Sequence, residues 1–390
     1  MRLTFRQYSK RGTKSYDGTA AKPRMWFLDN LKALLCIIVI AYHSGLLFWP
    51  KSMVSNWAFW SPLSAALLGC FFFISAYFTP SSLARKGTLR YCQSRLLRLG
   101  VPLAAWILLM VILVREILYA HMWFVADLLV CNLLYAFWCW CQPLQPRYAP
   151  CSRPRTLAIC AVILWIGGMT ATVRLVCPVG MWKTVGYIFP MAFAHGPEYL
   201  GFFVLGLWAA RTGWLRNFDL PQCRNWLILG LTGSALGLLY ALHPGPFAGI
   251  FSVGGVNFSS VFFSLFETFV CIGLVMGFLG IFRKYFDREL PVWRVLVRNS
   301  YGIYIVHAVV IQRGHYYLGR FPIPPLMQYF LTVAAGLFLS MLISEFILCR
   351  VPYLKTICRV YYNSKDTLRA IIPSKGGSSP RPPLASPNEG

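Results

Sequence analysis

The feature that most constrains this chain is a succession of apolar runs, each about long enough to cross a bilayer as a helix. Ten are read from the sequence, at residues 27–48, 61–79, 99–114, 119–140, 157–176, 186–210, 226–242, 258–281, 300–318 and 327–348. A hydrocarbon core about 30 Å thick takes roughly 20 helical residues to span, and lipid offers no partner to an unpaired backbone amide. Only 13% of the 390 residues are charged and 57% are hydrophobic, whereas a soluble domain has about 25% charged residues. The expected fold class is all-α: a polytopic integral membrane helix bundle of about ten transmembrane helices.

Charge orients the bundle. An even number of spans puts both termini on one side. With the N-terminus inside, 30 of the 37 Lys and Arg fall in cytoplasmic segments. Outside lie only Lys51, Arg115, Arg174, Lys183, Arg313 and Arg320, and Lys32 sits within the first span. Such a bias predicts cytoplasmic termini and a multi-pass protein of the cytoplasmic membrane. It also accounts for the formal charge of +25 through topology and affinity for membrane lipids, not through nucleic acid. No cleavable signal peptide is expected before the first span, since the N-terminus is polar and basic. Residues 1–23 read as a disordered basic arm, 24–356 as the transmembrane domain, and 357–390 as a cytoplasmic tail, disordered at its Pro- and Ser-rich end. The 13 cysteines are odd in number, fall mostly in spans or inner loops and form no CxxC pair. Neither a disulfide framework nor a metal site is expected.

The first span, within RMWFLDNLKALLCIIVIAYHSGLLFWP, carries three groups that lipid rejects: Asp29, Lys32 and His43. A charge near the bilayer centre costs at least about 2.5–3.5 kcal/mol, so such residues face a protein interior or a cavity. Asp29 and Lys32 are three residues apart and able to pair. His43 lies fourteen residues beyond Asp29, about 21 Å along a helix, too far for Asp29 to orient its imidazole.

Other ionisable groups sort by depth. Toward the cytoplasm lie Asp29, Lys32, Ser75, Arg95, Arg98, His307 and Glu345; Ser75 offers a hydroxyl among aromatics, and Arg95 and Arg98 offer guanidinium forks suited to phosphate. Both arginines also suit plain anchoring to lipid headgroups. Toward the outside lie His43, His121, Asp127, His195, His243 and His315, with Glu267 near mid-depth. Asn299 and Ser300 are placed to cap the ninth span. Residues 177–197, broken by proline, read as a half-buried lid or re-entrant piece. Two polar layers suit a reaction whose substrates arrive from opposite faces, a phosphate-bearing donor from inside and an acceptor from outside. Acyl transfer fits, because a hydroxyl acceptor needs a base and histidine is the usual one. His43 as a covalent acyl carrier fits equally. Intramembrane carboxylates also mark proton-coupled transporters, so residue chemistry alone leaves enzyme and transporter level.

Six pieces then occur in order: RMWFLDNLKALL with His43, FFFISAYF, SRLLRLGVP, HMWF, NSYGIYIVH and SEFILCRVPYLK. Together they run from residue 24 to about 356, and in this the chain resembles the membrane-bound acyltransferase family 3, most of all its glucan-succinylating members. The resemblance implies that His43 is essential to transfer and that Arg95 and Arg98 contact the acyl-CoA donor. Lys32 and Ala76 stand where the family pattern has Arg and Gly.

The expected activity is a membrane O-acyltransferase moving an acetyl or succinyl group from cytoplasmic acyl-CoA to a hydroxyl of a cell-envelope glycan outside. Candidate catalytic residues are His43 and His121, with Asp127 and Glu267 to orient an imidazole. Lys32, Ser75, Arg95 and Arg98 are candidates for holding acyl-CoA, a co-substrate; no tightly bound cofactor is expected. Asp29, His307 and Glu345 are expected to hold the inner ends of the bundle together. The alternatives are a transporter or flippase for a glycan or its lipid-linked precursor, and a non-catalytic scaffold for envelope assembly.

Overall fold

The computed structural model describes residues 24–48, 57–114, 120–142, 154–181, 183–185, 189–216, 219–243, 249–348 and 350. The expected basic arm and C-terminal tail lie outside them. The described residues are helical almost throughout, and nine of the described helices are long and apolar enough to cross a membrane. They are α1 (Trp26–Phe48), α2 (Trp57–Lys86), a run made of α3 (Thr88–Arg95), a π turn (Leu96–Gly100) and α4 (Val101–Val114), then α5 (Trp123–Cys141), α6 (Thr156–Arg174), α8 (Leu220–Leu242), α9 (Phe258–Tyr285), α10 (Pro291–Leu318) and α11 (Pro325–Ile343), which ends in a π turn at Ser344–Leu348. The shorter α7 (Gly196–Thr212) completes the ten expected spans. Its expected start at 186 is corrected: Lys183–Val185 and Phe189–Met191 pair as short antiparallel strands β1 and β2.

Local signals fix the starts. Proline stands in the first turn of α7, α8, α10 and α11, where its missing N–H has no partner to lose. Asn257 caps α9 by accepting from the Ser260 amide at 2.7 Å. The expected capping by Asn299 and Ser300 does not occur. Proline starts α10 nine residues earlier than the hydropathy suggested, so Asn299 lies inside the helix and donates to Val295 O and Glu345 Oε2.

The bundle centres on α2 and α9, whose apolar windows are 67% and 72% buried, whereas those of α8 and α11 are 22% buried. The latter present Leu229, Leu231, Leu236, Phe330 and Phe338 outward, as expected of surfaces solvated by lipid tails. One continuous apolar core joins Phe27 and Leu31 of α1, Phe72 of α2, Trp106 of α4, Phe202 of α7, Val270 of α9 and Tyr304 of α10. At the end richest in Lys and Arg, here the basic end, Asn30 donates to the carbonyls of Phe286 and Arg288 at 2.7 and 3.0 Å. That clamp sets the starts of α1 and α10 side by side, and the two helices run parallel away from it.

Candidate active site

Parallel alignment of α1 and α10 decides what meets His43. It lies 17 residues into α1, about 25 Å along, and His307 lies 16 residues into α10, about 24 Å along. They reach the same depth, with ring centroids 5.1 Å apart. His121, in the Ala120–Met122 turn before α5, stacks edge-on against His307 at 4.7 Å. His307 therefore belongs with His43 and His121, not with the inner ends of the bundle; the earlier start of α10 adds nine residues, about 13 Å, to its depth.

Main-chain carbonyls orient all three rings. His43 Nδ1 is 2.9 Å from Val39 O, His307 Nδ1 is 2.6 Å from Tyr304 O, and His121 Nε2 is 3.0 Å from Ile305 O. A carbonyl oxygen can only accept, so each of these nitrogens carries the proton, and in the neutral ring the other nitrogen keeps its lone pair. Tyr304 Oη donates to His121 O at 2.5 Å and pins the turn. Trp106 and Tyr42 stand edge-on to His121 and His43, at 4.8 and 5.4 Å.

The carboxylates proposed to orient an imidazole lie elsewhere. Among the described residues neither Asp127 nor Glu267 bonds to His43, His121 or His307. Glu267 accepts from Arg174 and from Ser61 Oγ (2.5 Å), and its Oε1 is 3.4 Å from His195 Nδ1. Glu198 completes this buried network, 3.3 Å from His195 and accepting from Thr268 at 3.1 Å. The ligand atoms of His195, Glu198 and Glu267 fall within 4.8 Å of one another, but the Arg174 guanidinium already supplies the positive charge there. Arg174 and Glu198 were missed from sequence. The available signals were an arginine at the end of an apolar run and a glutamate three residues after His195.

At the basic end, Lys32 and Arg24 both pair with Asp29 at 2.8 Å, and Lys32 sits 5.7 Å from the centre of the Phe78 ring. Arg95 reaches back across α2 and α5: its Nε donates to Tyr91 Oη at 3.0 Å, and Tyr91 in turn donates to Asn132 Oδ1 at 2.6 Å. Thr79 also donates to Asn132, at 3.0 Å. Among the described residues no carboxylate pairs with Arg95. Ser75 is half-buried, and its carbonyl lies 3.0 Å from Thr79 Oγ1. Arg98 is exposed on the π turn, its carbonyl bonded by Tyr301 Oη at 2.8 Å. Arg85, Arg95 and Arg98 all act electrostatically on Lys86, so four cations share this corner.

No curated protein matches the chain. The family described as an acyltransferase domain, of the acyltransferase-3 type, matches residues 25–345, a stretch that holds the histidine cluster, the Lys32–Asp29 pair and the Arg95 network alike, and the chain belongs to that membrane acyltransferase family.

Proposed function

We propose that the protein transfers an acetyl or succinyl group from cytoplasmic acyl-CoA to a hydroxyl of an extracytoplasmic cell-envelope glycan, as the glucan-succinylating members of the family do. The observation that carries this reading is the hydrogen bond from His43 Nδ1 to Val39 O, which leaves Nε2 as a base fixed in direction. In this reading the basic end faces the cytoplasm, in line with the distribution of Lys and Arg. The CoA phosphates lie against Arg95, Arg98 and Lys32, and the thioester reaches along α1; Lys32 and His43 are eleven residues, about 16 Å, apart.

His43 Nε2 takes the hydroxyl proton as that oxygen attacks the thioester carbonyl carbon. The C–O bond forms, the carbonyl electrons return, the C–S bond breaks, and the proton passes from His43 to the departing thiolate. Ester and CoA thiol result, and His43 ends neutral. General-base assistance of this kind contributes about 10²–10⁴-fold.

The test uses purified protein in nanodiscs with acetyl-CoA or succinyl-CoA and a panel of glucans, following free CoA and product mass. Acceptor-dependent CoA release is expected for the wild type and not for His43→Ala, with CoA binding kept. A wild type that neither binds nor consumes acyl-CoA would overturn the proposal.

A further inference from the structure

His307 is wholly buried, yet its Nε2 has no hydrogen-bond partner among the described residues, and neither has Nδ1 of His121. Each ring gives its N–H to a main-chain carbonyl, so the unmet nitrogen of each neutral ring is an acceptor. His43 Nε2 is a third. The cluster thus presents three lone pairs and no N–H, in a setting where an unmet buried acceptor is costly. Such a cluster cannot act as an oxyanion hole, which needs donors. It suits a ligand that brings O–H groups of its own. A single hydroxyl has one proton to give, and in the reaction above His43 takes it.

We propose that His307 Nε2 receives the hydrogen bond of a second, neighbouring hydroxyl of the same acceptor, so that the site selects a polyol with adjacent hydroxyls over an isolated alcohol. The His43 and His307 ring centroids are 5.1 Å apart, at equal depth on α1 and α10. The Tyr304 carbonyl fixes the His307 tautomer, while His121 packs against the ring and limits its rotation. The inference rests on the acyltransferase reading and narrows its acceptor to a class. It makes His307 a substrate-binding residue, not a bundle tie.

The experiment compares methyl β-glucoside with its four monodeoxy derivatives as acceptors, using full-length protein in nanodiscs and an acyl-CoA donor. In the wild type one derivative, lacking the acylated hydroxyl, gives no ester. A second, lacking its neighbour, is expected to show kcat/KM lower by about tenfold or more, since a site built to bond a hydroxyl discriminates strongly against its absence. In His307→Phe that gap should vanish, the parent glucoside falling to the rate of the deoxy compound. His307→Gln, which keeps a carbonyl acceptor, should restore part of it. If His307→Phe does not fold, His307→Asn replaces it, and the gap must shrink because the shorter side chain falls short of the hydroxyl. An undiminished gap in these variants, or no neighbour effect in the wild type, overturns the inference. A wild type that binds and cleaves acyl-CoA but acylates no glucoside also overturns it. A wild type that neither binds nor consumes acyl-CoA overturns the acyltransferase reading itself.

Discussion

Arg174, the last residue of α6, holds Glu267 of α9 in an ion pair in which neither side chain is exposed to solvent. Ser61 of α2 and His195 before α7 bond to the same glutamate, so three helices and the turn before α7 meet at one carboxylate, away from the end that carries Asp29 and Lys32. Removing one partner strands the other charge, and such losses cost about 3–5 kcal/mol. Arg174→Met and Glu267→Gln should each lower the thermal midpoint in detergent markedly, read by tryptophan fluorescence. Arg174→Met combined with Glu267→Gln should cost less than the sum of the two single losses. Strict additivity would show that the pair is not the unit of stability.

A second prediction concerns the crossing of α2 and α7. A Cβ added at Gly206 would lie 2.8 Å from Ala76 Cβ and would also strike the Phe73 carbonyl. Overpacking of this kind costs about 1–3 kcal/mol. Gly206→Ala should therefore destabilise, and Ala76→Gly in the same molecule should recover part of the loss but not all, because the carbonyl contact stays. The absence of a Cβ at Gly206 is what makes room for Ala76 opposite it. Unfolding of the single and double variants measures the effect.

The Arg95 network yields a third. Tyr91 Oη accepts from Arg95 Nε and donates to Asn132, so Tyr91 aims the guanidinium without being a group that would touch a donor. A hydrogen bond is worth about 1 kcal/mol net, which is roughly a factor of five. Tyr91→Phe should weaken CoA binding by about that factor, with kcat at saturating donor little changed. Arg95→Lys, which loses the planar fork, should weaken it further. Titration calorimetry on the purified protein reads both. An unchanged dissociation constant in both variants would remove Arg95 from the donor site.

How much of this was legible in the sequence differs by element. The spans were, because lipid demands long apolar helices whatever their packing. The Asp29–Lys32 pair was too, because three residues on a helix place two side chains together without tertiary knowledge. His307 was misplaced for a definite reason. The amphipathic turn before residue 300, with Arg294 and Arg298, reads as a loop by hydropathy, yet Pro291 already starts the helix, and depth counted from the wrong residue moves the imidazole by more than two turns. Arg174 and Glu267 meet only in three dimensions, across 93 residues; the spacing of His195 and Glu198 brings those two together locally, but no local pattern announces that all four meet. Asn30, one residue past Asp29, is 2% exposed; it reads as an ordinary polar residue at a helix start because its partners are carbonyls of a loop more than 250 residues away.

The last prediction separates two ways of orienting a catalytic imidazole. In a triad a carboxylate holds the ring, and disabling it costs about 10⁴ in kcat. Asp127, on the second turn of α5, was with Glu267 a sequence candidate for that part. The structure gives the part to main-chain carbonyls: Val39 O for His43, Tyr304 O for His307 and Ile305 O for His121. A carbonyl fixes the tautomer as a carboxylate does, but brings no negative charge to favour the imidazolium. Asp127→Asn should therefore cost less than about tenfold in kcat, far short of the loss expected from a triad acid. His43→Gln, which removes the base held by Val39 O, sets the size of the full catalytic loss for comparison. Initial rates of CoA release for the two variants decide between the schemes. A loss near 10⁴ in Asp127→Asn would restore the carboxylate to the mechanism, whereas a loss under about tenfold there, beside the full loss in His43→Gln, shows that the imidazole works without a carboxylate from Asp127, as its bond to Val39 O predicts.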